Sequence, residues 1–472
     1  MNTGRRTLIL IAIGVLILAV GASLVILAPK VESFGPQTIQ GGLPRSSPFW
    51  ISFSRQMLTD TIQDRLTISP QIDGEFTWED KTLTFTPDED WPAGAEIQIN
   101  LQPGASSSLG LPTRQELSWS FEVAPILMAY LWPSEGGSDL YSLDIDTGET
   151  IQLTQVGGVL AYDFAPDGRT FYYFAENSLG GSDLFASDRF ETIEESDYSP
   201  SRLLTCQRAI CSEPTVSSDG KQLAYLRNDS QIWLLDLQTS NQPQQISREN
   251  HQAWQPLWSS TGRLSYYDST DQAYIIYNPE TGDRISLPNQ SGENGTWAPG
   301  GTALVAPEAF TSETDILRGP TGEEANQPVD TSELEPVRVL SSRLMVYQVG
   351  GKNITTLTED PLAEDFSPAF SPDGLTLAFT RRYLDEDRWT PGRQIWLMAF
   401  PGISSTATQL LPLTDSPSYM YTGIVWHPDG KKLAATRFDV TLLTEPPEIW
   451  LFELNGNAIR LVIGGFNPQW VP

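Results

Sequence analysis

The chain has 472 residues, 39% of them hydrophobic, enough for two or three folded domains or one large repeat domain with additions. Its 59 acidic and 29 basic side chains give a formal charge of −30, which argues against the positive footprint that nucleic-acid binding requires. Fourteen Trp and 35 Pro, with no long helical pattern in the bulk of the chain, point to an all-β protein.

Residues 7–28, TLILIAIGVLILAVGASLVILA, are 22 residues without a charge. As a helix they would span roughly 33 Å, enough for a bilayer core. Arg5 and Arg6 precede them, so residues 1–6 are expected in the cytoplasm and everything after Lys30 outside. The competing reading is a cleaved signal peptide, whose apolar region is normally about 7–15 residues. No Cys follows to carry a lipid, so the expectation is an uncleaved single-pass anchor in the cell membrane. An extracytoplasmic bulk permits disulfides. Cys206 and Cys211, in TCQRAICSEP, are expected to close a small loop, the alternative being two free thiols. No second Cys or His pair accompanies them, so no zinc site is expected, and no cofactor is implied elsewhere. The two histidines, His251 and His427, are expected to be structural.

Residues 31–123 alternate apolar and polar in short runs broken by turns, as in FWISFS, AEIQINL and LSWSFEV. One buried and one wet face suits a β-sandwich of about 90 residues. ISFSRQM, LTFTPDEDWPAGAEIQINL, Gly110-Leu111 and SWSFEV resemble the bacterial Ig-like domain of the SbsA type over residues 45–123. That resemblance implies a spacer or adhesion module without catalysis.

From residue 124 a unit repeats. An anchor residue, usually aromatic, precedes a tight turn six times: FAPDG, VSSDG, WSSTG, WAPGG, FSPDG and WHPDG, at Phe164, Val216, Trp258, Trp297, Phe370 and Trp426. A truncated seventh copy, NPQWVP, has Trp470 in register, and Pro often stands two before the anchor, as Pro214, Pro256, Pro368 and Pro468 do. Three further strands follow each full copy, as a four-stranded propeller blade requires. Residues 126–155 supply strands two to four of a blade without a first strand, and residues 467–471 supply a first strand alone. The two complete each other, so seven blades are expected over residues 124–472, closed by the C-terminal strand, with six as the alternative. The FSPDG…LAF…IW series resembles the TolB-like propeller repeat over residues 126–472. The turn pairs Asp167-Gly168, Asp219-Gly220, Asp373-Gly374 and Asp429-Gly430 are read as structural, Asp bonding turn amides and Gly taking positive φ. They are not sialidase Asp-boxes, which separate the Asp from the Gly.

The long connections, 132–138, 308–337, 383–392 and 439–447, all fall between second and third strands, hence on one face. That face is expected to point away from the sandwich. Within it TRRYLDEDRWTPGRQ, residues 380–394, clusters Arg in an acidic protein. Arg381, Arg382, Tyr383 and Trp389 are the candidate ligand-binding residues, for a carboxylate, peptide or sugar. The bland alternative pairs Arg381 and Arg382 with Asp385, Glu386 and Asp387. Residues 311–335 read as a solvated acidic insertion without the spacing of an EF-hand loop.

Related propellers precede hydrolase domains in prolyl oligopeptidases, but no Gly-x-Ser-x-Gly elbow occurs here. The expectation is a non-catalytic scaffold of the bacterial cell envelope that binds a protein, peptide or glycan. The alternatives are a carboxylate-based propeller glycosidase or lyase, and a purely structural component of an envelope complex.

Overall fold

A computed structural model describes the chain except residues 1–26, 192, 194–199, 240–241, 315–336, 352, 403–408 and 443. The expected anchor at 7–28 therefore lies almost wholly outside the described residues. Among those, no helix is long and apolar enough to cross a membrane. The chain divides into two compact units, Met1–Ile126 and Leu127–Pro472.

The first unit is a sandwich of two antiparallel sheets. One holds Val31–Gly35, Phe49–Phe53, Thr82–Pro87 and Gly74–Glu79; the other holds Leu66–Ser69, Glu96–Leu101 and Leu117–Glu122. The period-2 pattern decides which side chains meet: Phe49, Ile51 and Phe53 face Ile97, Ile99 and Leu101 across a core that also buries Phe85, Trp91 and Phe121. The Trp91 indole, fully buried, donates to the Ser47 carbonyl at 2.8 Å.

The second unit contains seven four-stranded antiparallel blades. In six of them the strands run in chain order; blade two, for example, is Val159–Phe164, Thr170–Glu176, Ser182–Asp188 and Ser201–Thr205. Blade one takes its first strand, Phe466–Trp470, from the C-terminal end and its others from Leu127–Trp132, Asp139–Asp144 and Thr150–Gln152. Six apolar clusters lie between consecutive blades from one to seven, each mixing residues of two neighbours. Blades five and six are further linked by one parallel pair, Ser342 with Glu364.

The anchor aromatics have a repeated role. The indoles of Trp258, Trp297, Trp426 and Trp470 donate to the carbonyls of Thr215, Leu257, Ala369 and Val425 in the preceding blade's first strand. The last of these ties the closing strand to blade seven. The turns beneath are as compact as their composition requires. Asp167 accepts the amides of Arg169 and Thr170, and Asp219, Asp373 and Asp429 each accept the amide two residues on. Hydrogen bonds from the Ser217 hydroxyl and Lys221 hold Asp219 down at about 2. Gly374 has φ 70°, and a Cβ there would lie 2.1 Å from Pro299 of the previous blade. Gly168, Gly220 and Gly430 also take positive φ.

Asp163 fastens three first strands together. It accepts Gln469 Nε2 of the closing strand at 2.6 Å and the Val216 amide of blade three at 2.7 Å. Burial pushes its carboxyl up to about 6, against an ordinary 3.8. The folded form thus holds the proton more tightly than the unfolded chain. This group's stabilising contribution is complete below about 3.8 and is lost as pH rises through about 6. The gap corresponds to roughly 3 kcal/mol at most. Thermal unfolding of the parent and of Asp163→Asn, followed from pH 7.5 to 5, should show a Tm rise in the parent that the variant lacks. Equal rises would remove Asp163 as the source.

Candidate functional site

In each blade the turns joining strands one to two and three to four share one side, here the turn face. The loops joining strands two to three, and the inter-blade links, share the other, the loop face. The long connections at residues 132–139, 383–394 and 439–448 lie on the loop face. Blade five differs from expectation. Its second and third strands, Ala303–Thr314 and Val337–Gln348, pair over their full length, so residues 311–314 extend a projecting hairpin and do not belong to a loop. Cys206 and Cys211 lie on the loop face in the link between blades two and three, joined by a disulfide whose Cα atoms are 6.4 Å apart.

The Arg-rich segment turns out to be internally neutralised. Arg381, 3% exposed, donates Nε and Nη2 to the two oxygens of Asp365 at 2.6 and 2.7 Å. Its guanidinium also lies 5.5–5.7 Å from the rings of Phe379, Tyr383 and Trp396. It is a structural residue with no surface left for a ligand, which corrects its assignment as a binding residue. Arg382 donates to Glu364 Oε2 at 2.6 and 3.0 Å, and Arg393 reaches the same oxygen at 3.1 Å. The partners of Arg381 and Arg382 are therefore Asp365 and Glu364 on the paired strand, not Asp385, Glu386 or Asp387. Asp385 instead takes Arg388, which spans to Asp360 and lies 3.9 Å over the Tyr383 ring. Of the four candidates Trp389 is the exposed one, at 54%; Arg382 and Tyr383 are half-buried.

Exposed apolar side chains mark the face more broadly. Among the described residues of the propeller, Trp132, Val156, Leu160, Leu179, Ile210, Leu340, Trp389 and Leu442 stand exposed at its loop-face end. The turns of the other face expose two, Leu375 and Leu454, and the outer, fourth strands expose six more: Ile151, Leu203, Ile354, Leu411, Ile459 and Ile463. Sequence reasoning weighted the charged cluster and, Trp389 apart, missed the loop-face residues, since a lone Leu in a loop carries no periodic signal.

His251 bridges a link and a loop. Its Nδ1 lies 2.8 Å from Asp268 Oδ2, whose other oxygen accepts the amides of Thr270 and Asp271. Asp271 is held by Arg248 at 2.6 Å. His427 is buried edge-on to Trp470, with ring centroids 4.7 Å apart.

The family model of the bacterial Ig-like domain matches residues 26–123. The N-terminal sandwich is a bacterial Ig-like domain. No curated protein matches the chain in sequence. Solved structures similar to it include an oligogalacturonate lyase in complex with manganese, at 15% identity and TM-score 0.46, covering 72% of this chain and 85% of that one. TolB from Acinetobacter baumannii is similar at 12% identity and TM-score 0.42, covering 86% and 83%. The β-propeller domain of the Trilobed protease from Pyrococcus furiosus is similar at 9% and 0.43, covering 79% and 95%. Likenesses this distant transfer no activity, metal or partner to the chain that carries the Ig-like domain.

Proposed function

We propose that the protein is a non-catalytic scaffold of the cell envelope, anchored by residues 7–28, whose propeller binds a protein partner through its loop face. The observation that carries this reading is the distribution of exposed apolar side chains among the described residues of the propeller, eight at the loop-face end against two in the turns of the other face, with the remaining six on the outer strands. A surplus of apolar exposure at one end of a rigid scaffold fits an interaction surface. The residue types select the partner class. Leu, Ile and Val offer little to a sugar, whose flat faces stack on aromatic rings, and much to another protein's apolar side chains.

The charged segment of blade six fits a supporting role. Its guanidinium groups are engaged with carboxylates, so an incoming carboxylate would have to displace one. Trp389 beside them is the anchor candidate, being large, exposed and mounted next to a braced loop. Replacing Trp389 and Leu442 together by Ser should cut capture of the partner from solubilised membranes at least tenfold. The same change at Leu375 and Leu454 should leave it within twofold. Equal losses from both pairs would argue against a loop-face site.

A further inference from the structure

Six of the eight exposed apolar side chains at the loop-face end fall on one run of neighbouring loops, links and strand ends. They are Leu442, Trp132, Val156, Leu160, Leu179 and Ile210, and the run passes from blade seven through blades one and two to the link before blade three. Among the described residues blade four exposes none there, and blade five only Leu340, on its projecting hairpin.

Contacts between successive segments hold the run in place. The Gly464 amide, in the link between blades seven and one, donates to the Pro447 carbonyl of the blade-seven loop at 2.7 Å. The Trp132 indole donates to the Ile463 carbonyl beside it at 3.2 Å. Asp139 accepts the amides of Val156 and Gly157, which fixes the next link against blade one. A Cβ at Gly137 would lie 2.4 Å from the Gly157 carbonyl oxygen, so glycine is what lets the blade-one loop touch this link. Asn177 Nδ2 donates to the Gln207 carbonyl at 2.8 Å, and the Ser182 amide to the Ala209 carbonyl at 3.1 Å. The disulfide closes that link, and the Asn228 amide of the blade-three loop donates to the Ile210 carbonyl at 2.7 Å. The six side chains thus stand on a pre-formed backbone, and docking on them has little chain to order.

The charges of the same segments are one-sided. Their exposed ionisable side chains are Glu445, Glu135, Glu176, Glu213 and Asp229 against Arg208. None of these acids forms an ion pair among the described residues. Desolvation by its neighbours and the Asp229 charge raise the Glu213 carboxyl, so a cation placed there would relieve a like-charge contact.

We propose that this run of the loop face docks a polypeptide segment whose apolar side chains are flanked by Lys and Arg. The six apolar groups receive its apolar side chains and the carboxylates around them its cations. Nucleic acid and an anionic lipid surface bring charge of the wrong sign. So does a second copy of the chain, which carries −30 itself and would set carboxylates against carboxylates. The inference rests on the loop-face binding reading, and adds to it the charge of the partner and the part of the ring it covers.

The test is photo-crosslinking of the full-length protein in cells from Leu179 and from Ile210, with the captured segment identified by mass spectrometry. The same segment is expected from both positions, with more Lys and Arg than Asp and Glu. Glu213→Lys with Asp229→Lys should cut its capture at least tenfold. Asp146→Lys with Glu149→Lys, the same charge change in a turn of the other face, should leave it within twofold. Glu135→Lys with Glu176→Lys is the second reversal, decisive if the first pair lowers the unfolding midpoint. Capture from solubilised membranes should fall at least fivefold as salt rises from about 50 to about 500 mM. A neutral or acidic segment, capture indifferent to charge reversal and to salt, or no capture from either position would overturn the proposal. A partner captured from Trp389 alone would leave the loop-face reading standing and remove this one; a partner captured from Leu375 and Leu454 alone would remove both.

Discussion

A chain truncated after Gly465 should lose cooperative unfolding of the propeller, or lower its Tm by more than about 10 °C. The missing segment holds the first strand of blade one. Its loss leaves Leu127–Trp132 as an open edge, although Met128, Ala129 and Leu131 are fully buried in the intact ring. It also removes the Trp470 bond to Val425, the Gln469 bond to Asp163 and the Tyr162 bond to the Asn467 carbonyl. These contacts join the two ends of a roughly 340-residue unit, and no neighbouring strand can replace them. A peptide of residues 464–472 added in trans should restore part of the transition. A truncated chain that melts with the parent would show that the ring does not depend on this strand.

Replacing Arg381 by Ala should cost about 3–5 kcal/mol, because Asp365 would remain buried without its bidentate partner. The pair lies inside blade six, with Asp365 1% exposed, so solvent cannot substitute for the lost guanidinium. The loss is read from denaturant unfolding. Changing both members, Arg381→Met with Asp365→Leu, should recover much of it, since neither charge is then stranded. A loss below about 1 kcal/mol in the single variant would contradict the assignment of Arg381 as a buried structural cation. Partner capture should follow stability in these variants, in contrast to Trp389→Ser, which should impair capture without changing the unfolding midpoint.

Much of the fold was legible because it rests on local signals. Asp-Gly at a turn, an aromatic before it and alternating apolar residues after it each have a local cause, and the blades reproduce them. The closure was legible because three strands without a first and a first strand without successors are complementary counts. The charged cluster was misread for the opposite reason. Arg381 and Arg382 have acids three to six residues on, but the strand pairing sets Asp365 and Glu364 opposite them. Register across a sheet, not distance along the chain, decided the partners. The projecting hairpin of blade five was placed among loops because PEAFTSET lacks a clean apolar alternation once it leaves the blade. The recurrent Pro two before the anchor was visible, but its consequence was not. The residue preceding it takes positive φ at a register slip, and a bulge leaves no mark on the hydrophobic pattern.

The most direct test of the central claim is in-cell photo-crosslinking of the full-length protein, with the reactive residue placed in turn at Leu179, Ile210, Trp389 and Leu442, and for comparison at Leu375 and Leu454. A single defined protein crosslinked from the first group and absent from the second is the expected result. A partner captured from the turn-face positions while the loop-face positions stay silent would contradict it.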